Sequence, residues 1–531
     1  MPRKKSARPA ASGPGPGPLL QVEDLRTVFP VESGGNGVSG EARAVDGVSF
    51  SIDPGETLAL VGESACGKSV TALSIMRLVQ PPGHHPGGRI IFEGRDLLRA
   101  DHDTLRSIRG NRISMIFQEP MTSLNPVYTI GNQLAEPLLL HQKMTAAQAR
   151  AKSLELLEHL GIAAPDMILG SYPHQLSGGM RQRVMIAMAI ACRPRLMIAD
   201  EPTTALDVTV QAQILHLIRE LQLEIGMSLL LITHDLGVVN QMSDRICVMY
   251  SGRVAETGDR ERLLRSPSHP YTVKLLRSIP RGADRNTRLS VIRGQVRSAA
   301  SYSAGCRFAE RCDHAGPRCM KEQPPLFGLP RGGSSACFLV DPENPLEHQI
   351  RAPEEPEAAS GKDAGANAGL LLETVSLSTH FPVRKGFFQR VVGHVKAVDG
   401  VSLAIREGTT LGLVGESGCG KTTLGHSLLN LEGHARGEVM FEGHNLLALS
   451  GEELRAMRHK VQIIFQDPFA SLNPRLTIGE IVGEGLRVHQ PGLSREQATE
   501  RLRQVLEEVG LPPGIQDNYA HEFSGGQRQR I

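Results

Sequence analysis

Tryptophan is absent, and Phe, Tyr and Trp together make up only 4% of the 531 residues. So thin an aromatic supply argues against a chain that grips single strands by base stacking. An excess of either charge is missing too: 58 Lys plus Arg stand against 56 Asp plus Glu, a formal net charge of +2. That balance removes the electrostatic case for nucleic acid or an anionic membrane surface as partner. No apolar run approaches the ~20 residues needed to span a bilayer. The most apolar short stretches, such as "MSLLLIT" from Met227 to Thr233, have strand length. The opening "MPRKKSARPAASGPGPGPLL" has basic residues but no apolar centre of a secretory signal, so residues 1–18 read as a disordered tail. The chain is therefore expected in the cytoplasm, its eight cysteines mostly reduced thiols or metal ligands.

What is present is a repeat. "AVDGVSFSIDPGETLALVGESACGKS" from Ala44 parallels "AVDGVSLAIREGTTLGLVGESGCGKT" from Ala397. "MIFQEPMTSLNP" from Met115 parallels "IIFQDPFASLNP" from Ile463, and "YPHQLSGGMRQRV" from Tyr172 parallels "YAHEFSGGQRQRI" from Tyr519. Matched blocks in the same order mean two copies of one domain. Between them, residues 341–369 are rich in Pro, Glu, Ala and Gly and read as a linker. As a flexible coil it would span roughly 30 Å. Within the first copy strand-like runs ("TLALV", "RLMIAD", "MSLLLIT") alternate with helical segments, the pattern of an α/β domain with its chemistry at the carboxyl ends of the strands. The stretch from about Val127 to Gln175 has apolar spacings of three and four and reads as an inserted helical subdomain.

The phosphate chemistry starts at Gly62, Glu63, Ser64, Ala65, Cys66, Gly67, Lys68 and Ser69, which fit GxxxxGK[ST] between a strand and a helix. Glycines let backbone N–H groups turn around phosphate oxygens; Lys68 would charge-pair the β- and γ-phosphates and Ser69 would ligate Mg²⁺. "LMIADEP" then delivers Asp200, for the Mg²⁺ shell, and Glu201, to polarise the attacking water. Taken singly, the loop could be a plain glycine turn and the acids a helix cap. "LSGGMRQRV" adds Ser177, Gly178 and Gly179 at a helix start, another anion site in kind.

With these blocks the chain resembles the nucleotide-binding cassettes of ABC transporters, in which LSGGQ contacts ATP held by the opposite cassette. Met180 stands here where the family has Gln. The resemblance implies two P-loop domains in tandem, ATP and Mg²⁺ as ligands, and ATP hydrolysis. It assigns Gln118 to the Q-loop, which senses Mg²⁺ and the γ-phosphate, Asp207 to the D-loop and His234 to the switch histidine. Phe29 and Phe381 either stack on adenine or are ordinary strand aromatics.

Half of the cysteines, Cys306, Cys312, Cys319 and Cys337, crowd into one segment, with spacing unlike the paired CxxC knuckles of common zinc sites. "HPYT" followed by "GCRFAERC" resembles the C-terminal extension of dipeptide and oligopeptide importer ATPases. In some relatives such cysteines carry an iron–sulfur cluster; zinc and unmetallated thiols stay open as alternatives. The expected order is a first cassette over 19–265, an extension over 266–340, the linker, and a second cassette over 370–531.

That second cassette has Gly415, Glu416, Ser417, Gly418, Cys419, Gly420, Lys421 and Thr422, with Thr422 as its Mg²⁺ ligand. It also has Gln466 and the signature Ser524, Gly525, Gly526 and Gln527, and reaches Ile531 without a second acid-bearing strand, D-loop or switch histidine. The expectation is a truncated second cassette in an incomplete sequence. Read as head-to-tail pairs, the cassettes would form one full site from Lys68, Asp200, Glu201 and His234 with Ser524 to Gly526, and one lacking a base. The implied partners are two membrane permeases and a periplasmic solute-binding protein, with the chain peripheral on the cytoplasmic face of a bacterial inner membrane. The rival reading is a soluble twin-cassette ATPase acting on ribosomes or DNA, for which the acidic, Pro-rich linker and scarce aromatics offer no arm or stacking platform.

Overall fold

The computed structural model describes residues 17–31, 40–118, 123–204, 206–278, 291–294, 296–343, 369–385, 388, 390–416, 418–466, 471–523 and 525–531. Ser417 and Ser524, most of the tail and residues 344–368 of the linker lie outside the described residues. The chain divides into two compact units, 1–361 and 362–531.

In the first unit β1 (Leu20–Val31) pairs antiparallel with β2 (Gly40–Ile52). A separate run, β3 (Thr57–Val61), is apolar and fully buried. On its other side β1 pairs with β4 (His84–Phe92), which carries the short β5 (Arg95–Asp96), so the first sheet has the order β2-β1-β4-β5.

The second sheet is built on β3. It adds β6 (Ile113–Ile116), β7 (Leu196–Asp200), β8 (Ser228–Thr233) and β9 (Arg245–Tyr250), all parallel, in the order β9-β3-β8-β7-β6. Strands buried on both faces have no polar side to alternate with, which is why "TLALV" and "SLLLIT" read as unbroken apolar runs. Their carboxyl ends emerge together: the glycine loop follows β3, the paired acids close β7 and His234 follows β8.

Between β6 and β7 come the helices Ile130–Gln142, Ala146–His159 and Pro165–Gly170. Thr129 and Thr145 cap the first two through their side-chain oxygens, and Leu134, Leu138, Leu157 and Ile168 bury one face against Ile186.

β10 (Arg253–Asp259) turns back along β9, and the segment after it continues the same sheet through β11 (Phe327–Gly328) and β12 (Ser334–Ser335), with Ser335 opposite Glu256. The expected boundary at 265 therefore crosses a hydrogen-bonded ladder. The rings of Tyr250, Tyr271 and Phe308 lock the two parts together, with centroids 4.7 to 5.3 Å apart.

The second unit repeats only part of this. β13 (Leu370–Lys385), β14 (Arg390–Arg406), β15 (Ala435–Phe441) and β16 (His444–Asn445) form a sheet of order β14-β13-β15-β16, matching the first sheet of unit one. The counterpart of β3, residues 410–414, joins no ladder: Leu413 is 50% and Val414 90% exposed, whereas Leu60 and Val61 are at 0%. The counterpart of β6 is likewise unpaired, with Ile464 82% exposed. β3 is held by β8 and β9, and β6 by β7; among the described residues the second unit has no counterpart of β7, β8 or β9, and a strand without lateral partners leaves its backbone to water. Among the described residues no helix is long and apolar enough to cross a membrane.

Candidate active site

The loop after β3 reaches the helix Lys68–Ile75 through Gly67, whose φ of 99° suits glycine alone; a Cβ there would stand 2.4 Å from the Ala44 carbonyl. Lys68 Nζ donates to the carbonyls of Gly62 at 2.8 Å and Glu63 at 3.0 Å, folding the loop around its own lysine. Ser64 and Ala65 are exposed at its tip and Cys66 is buried beneath it.

β7 places Asp200 inside and Glu201 at the rim, Glu201 turned by a positive φ of 48°. Burial pushes the Asp200 carboxyl up to about 6, against a Ser69 hydrogen bond that favours the anion. Its Oδ1 is buried and has no hydrogen-bond partner among the described residues. A buried carboxylate oxygen left unpartnered beside a serine hydroxyl is what a hard divalent cation takes as a ligand, so Asp200 and Ser69 fit Mg²⁺.

Three side chains converge on Glu201. Gln118 Nε2 donates to Oε2 at 3.1 Å, Thr204 Oγ1 donates to the same oxygen at 2.9 Å, and His234 Nδ1 is 3.1 Å from Oε1. Burial works against ionisation, yet the hydrogen bonds of His234 and Thr204 outweigh it and hold the Glu201 carboxyl down at about 2. The same bond raises the His234 imidazole. Asp207 caps the helix Val208–Ile225 through the N–H of Val210 at 2.9 Å, and Ser177 caps the helix Gly178–Ile190 through that of Met180 at 3.3 Å. Gly178 and Gly179 thus open a helix of 13 residues.

Comparison with known proteins decides what this arrangement belongs to. Residues 45–204 and 398–531 match the family model described as ABC transporter, and residues 255–319 match the oligopeptide/dipeptide transporter C-terminal region. The chain belongs to the ABC transporter family. It is an ATPase of that family's oligopeptide/dipeptide class. Over 97% of its length it is 44% identical to the peptidoglycan transport ATP-binding protein YejF of Agrobacterium fabrum, covering 79% of that protein. An uncharacterized ABC transporter ATP-binding protein YejF of Escherichia coli is 46% identical, covered to 81%. The glutathione import ATP-binding protein GsiA of Salmonella choleraesuis is 44% identical, covered to 74%.

The ABC protein's second glycine loop keeps the local form of the first. Gly420 has a φ of 96°, and Lys421 Nζ donates to the carbonyls of Gly415 at 2.8 Å and Glu416 at 2.6 Å. Gly418 has a positive φ, Cys419 is exposed, and Thr422 follows Lys421 on the helix Lys421–Leu428. Gln466 is exposed, and Gly525, Gly526 and Gln527 open the helix Gly525–Arg530.

Cys306, Cys312, Cys319 and Cys337 line one cavity, with His269 and Phe308 among its walls. It measures about 20 Å³, room for about one water. Burial drives the Cys312 thiol up to about 11 and that of Cys337 to about 12. Among the described residues no three His, Cys, Asp or Glu are grouped to hold a metal ion. The side chains as placed do not fit a cluster of several iron and sulfur atoms.

Thr204, which lies outside the motifs named from the sequence, also contacts Glu201. Its signal was the sequence "EPTT" directly after the acids, since a hydroxyl three residues on can reach back to Glu201. Phe29 is half-buried and packs on Gly83, where a Cβ would come within 2.5 Å of its ring.

Proposed function

We propose that Gly62 to Ser69, Gln118, Asp200, Glu201 and His234 form the ATP-hydrolysing site of a subunit that energises a bacterial importer of peptides. The observation that carries the site assignment is the convergence of Gln118, Thr204 and His234 on Glu201 beside the buried Asp200. Lys68 exchanges its contacts with the loop carbonyls for phosphate oxygens. Ser69 and Asp200, with Gln118, are the residues that would hold Mg²⁺, which when bound offsets charge on the β- and γ-phosphates. Glu201, ionised at any physiological pH, orients the attacking water, and His234 moves its hydrogen bond from Glu201 toward the γ-phosphate. The capped helix start at Ser177, Gly178 and Gly179 is assigned to ATP held by a second cassette, in the pairing the family implies.

The match of residues 255–319 to a peptide-transporter region favours transport over action on ribosomes or DNA. Relatives named for peptidoglycan transport and glutathione import support a solute containing peptide bonds, two permeases and a solute-binding protein as partners, and a peripheral place at the inner membrane. Phosphate release by the purified chain, with and without Glu201→Gln, tests the site. Loss of turnover with ATP binding kept is expected, and equal release from both proteins overturns the role of Glu201. Uptake of labelled dipeptide, tripeptide and glutathione by cells with and without the gene tests the transport reading; unchanged uptake of all three overturns the peptide assignment.

A further inference from the structure

Outside the ATP motifs, the most heavily committed charged side chain near the phosphate loop is Arg311, in the extension beside Cys312. Its side chain is 6% exposed. Nη1 donates to Glu63 Oε2 at 2.7 Å and Nη2 to Oε1 at 2.9 Å, a forked pair with the second residue of the loop. The remaining donors are fixed as well: Nη1 reaches Tyr250 Oη at 3.1 Å, Nε the Arg293 carbonyl at 2.9 Å and Nη2 the Ile292 carbonyl at 3.2 Å. A guanidinium with its N–H groups so engaged holds one orientation.

Tyr271 grips the same residue from the backbone side. Fully buried between Tyr250 and Phe308, it accepts the Glu63 N–H on its hydroxyl at 2.9 Å. That N–H is therefore directed at the extension and away from the concave side of the loop. The Glu63 carbonyl, in turn, is one of the two that Lys68 contacts. Glu63 thus stands between the extension and the loop lysine. The neighbouring Gly62 has no room for a side chain, since a Cβ there would lie 2.3 Å from the Met249 carbonyl. In the second unit the counterpart Glu416 is exposed, and no described side chain grips its carboxylate.

We propose that Arg311 and Tyr271 are positioning residues for ATP: the extension sets the shape of the first phosphate loop by holding Glu63 at its carboxylate and its backbone N–H. This rests on the reading of Gly62 to Ser69 as the ATP loop. A cradle of backbone N–H groups binds phosphate well only when its shape is set beforehand, so loosening Glu63 weakens ATP binding more than it slows turnover of ATP already bound.

The test is steady-state ATP hydrolysis and nucleotide-binding fluorescence on the whole chain. Arg311→Ala is expected to raise KM for ATP about tenfold or more with kcat within about twofold, as for a lost charge-assisted bond. Arg311→Lys, which restores one prong of the fork, should fall between. Tyr271→Phe removes one oxygen and should raise KM severalfold, and Glu63→Gln should add little in the Arg311→Ala background because the two act through one contact. A wild-type KM in Arg311→Ala overturns the proposal. If that variant does not fold, wild-type KM values in both Arg311→Lys and Tyr271→Phe overturn it. Lys68→Ala separates the two levels: wild-type ATP binding by that variant means the loop reading itself is wrong. Lost binding there, with KM unmoved by the Arg311 and Tyr271 changes, defeats only the positioning role.

Discussion

Asp200→Asn removes a buried carboxyl whose ionisation the fold opposes, and its effect on stability should depend on pH. Raising this group from 3.8 to about 6 disfavours the folded, ionised state by ~3 kcal/mol at about 1.4 kcal/mol per tenfold. Below pH 3.8 the carboxyl is neutral in both folded and unfolded chain and nothing is lost. As pH rises the unfolded chain releases its proton first, so stability falls until about pH 6 and is level above it. The deficit works out at about 1 kcal/mol at pH 4.5 and ~3 kcal/mol at pH 8. Asparagine keeps the volume and carries no charge, so the melting difference between variant and parent should grow by ~2 kcal/mol between those pH values. That is roughly 4–8 °C for a domain of about 150–250 residues. The assay is a thermal melt of both proteins in EDTA at the two pH values, repeated with Mg²⁺ and ATP. With ligands the order should reverse, because the parent gains binding energy in the folded state and the variant loses its cation ligand. A difference in melting temperature that is the same at pH 4.5 and pH 8 would refute the account of Asp200 as a buried, cation-seeking carboxylate.

Glu201→Gln should slow phosphate release about 10²- to 10⁴-fold while ATP still binds, read by release of phosphate beside fluorescent-nucleotide titration. The His234 imidazole should titrate above its ordinary 6.5 by NMR and fall in Glu201→Gln, where the carboxylate that raises it is gone while burial and Lys68 still lower it. Its raised value lends stability that is complete below pH 6.5 and is lost as pH climbs through the folded value. The lowered Glu201 lends stability present above 4.5 and lost only as pH falls through about 2. An unshifted imidazole in the parent would sink that pairing. Leu60→Ala should cost ~2–5 kcal/mol, whereas Leu413→Ala, at the same place in the repeat, should stay within about 0.5 kcal/mol, both by chemical denaturation; equal costs would mean that residues 410–414 are packed as a strand after all.

The residues proposed for the first site stand out in the sequence because they sit in short contiguous blocks, each tied to the end of an apolar run. How those blocks meet does not. Gln118, Thr204 and His234 reach Glu201 only because β6, β7 and β8 lie side by side with their carboxyl ends level. Likewise, spacing alone left the four cysteines open among three states, and it took packing to enclose them in a cavity too small for a cluster.

The repeated "LVGES" divides the two kinds of information. Its glycine loop folds alike in both units, with φ near 99° at Gly67 and 96° at Gly420 and the lysine turned onto the same carbonyls. Those contacts lie within a few residues of one another, so local sequence determined them. The Leu-Val before the loop is a buried strand in one unit and exposed chain in the other. A strand is completed by hydrogen bonds to neighbours distant in sequence, and only the first unit supplies them. Tertiary structure alone likewise joined Glu63 to Arg311, 248 residues away.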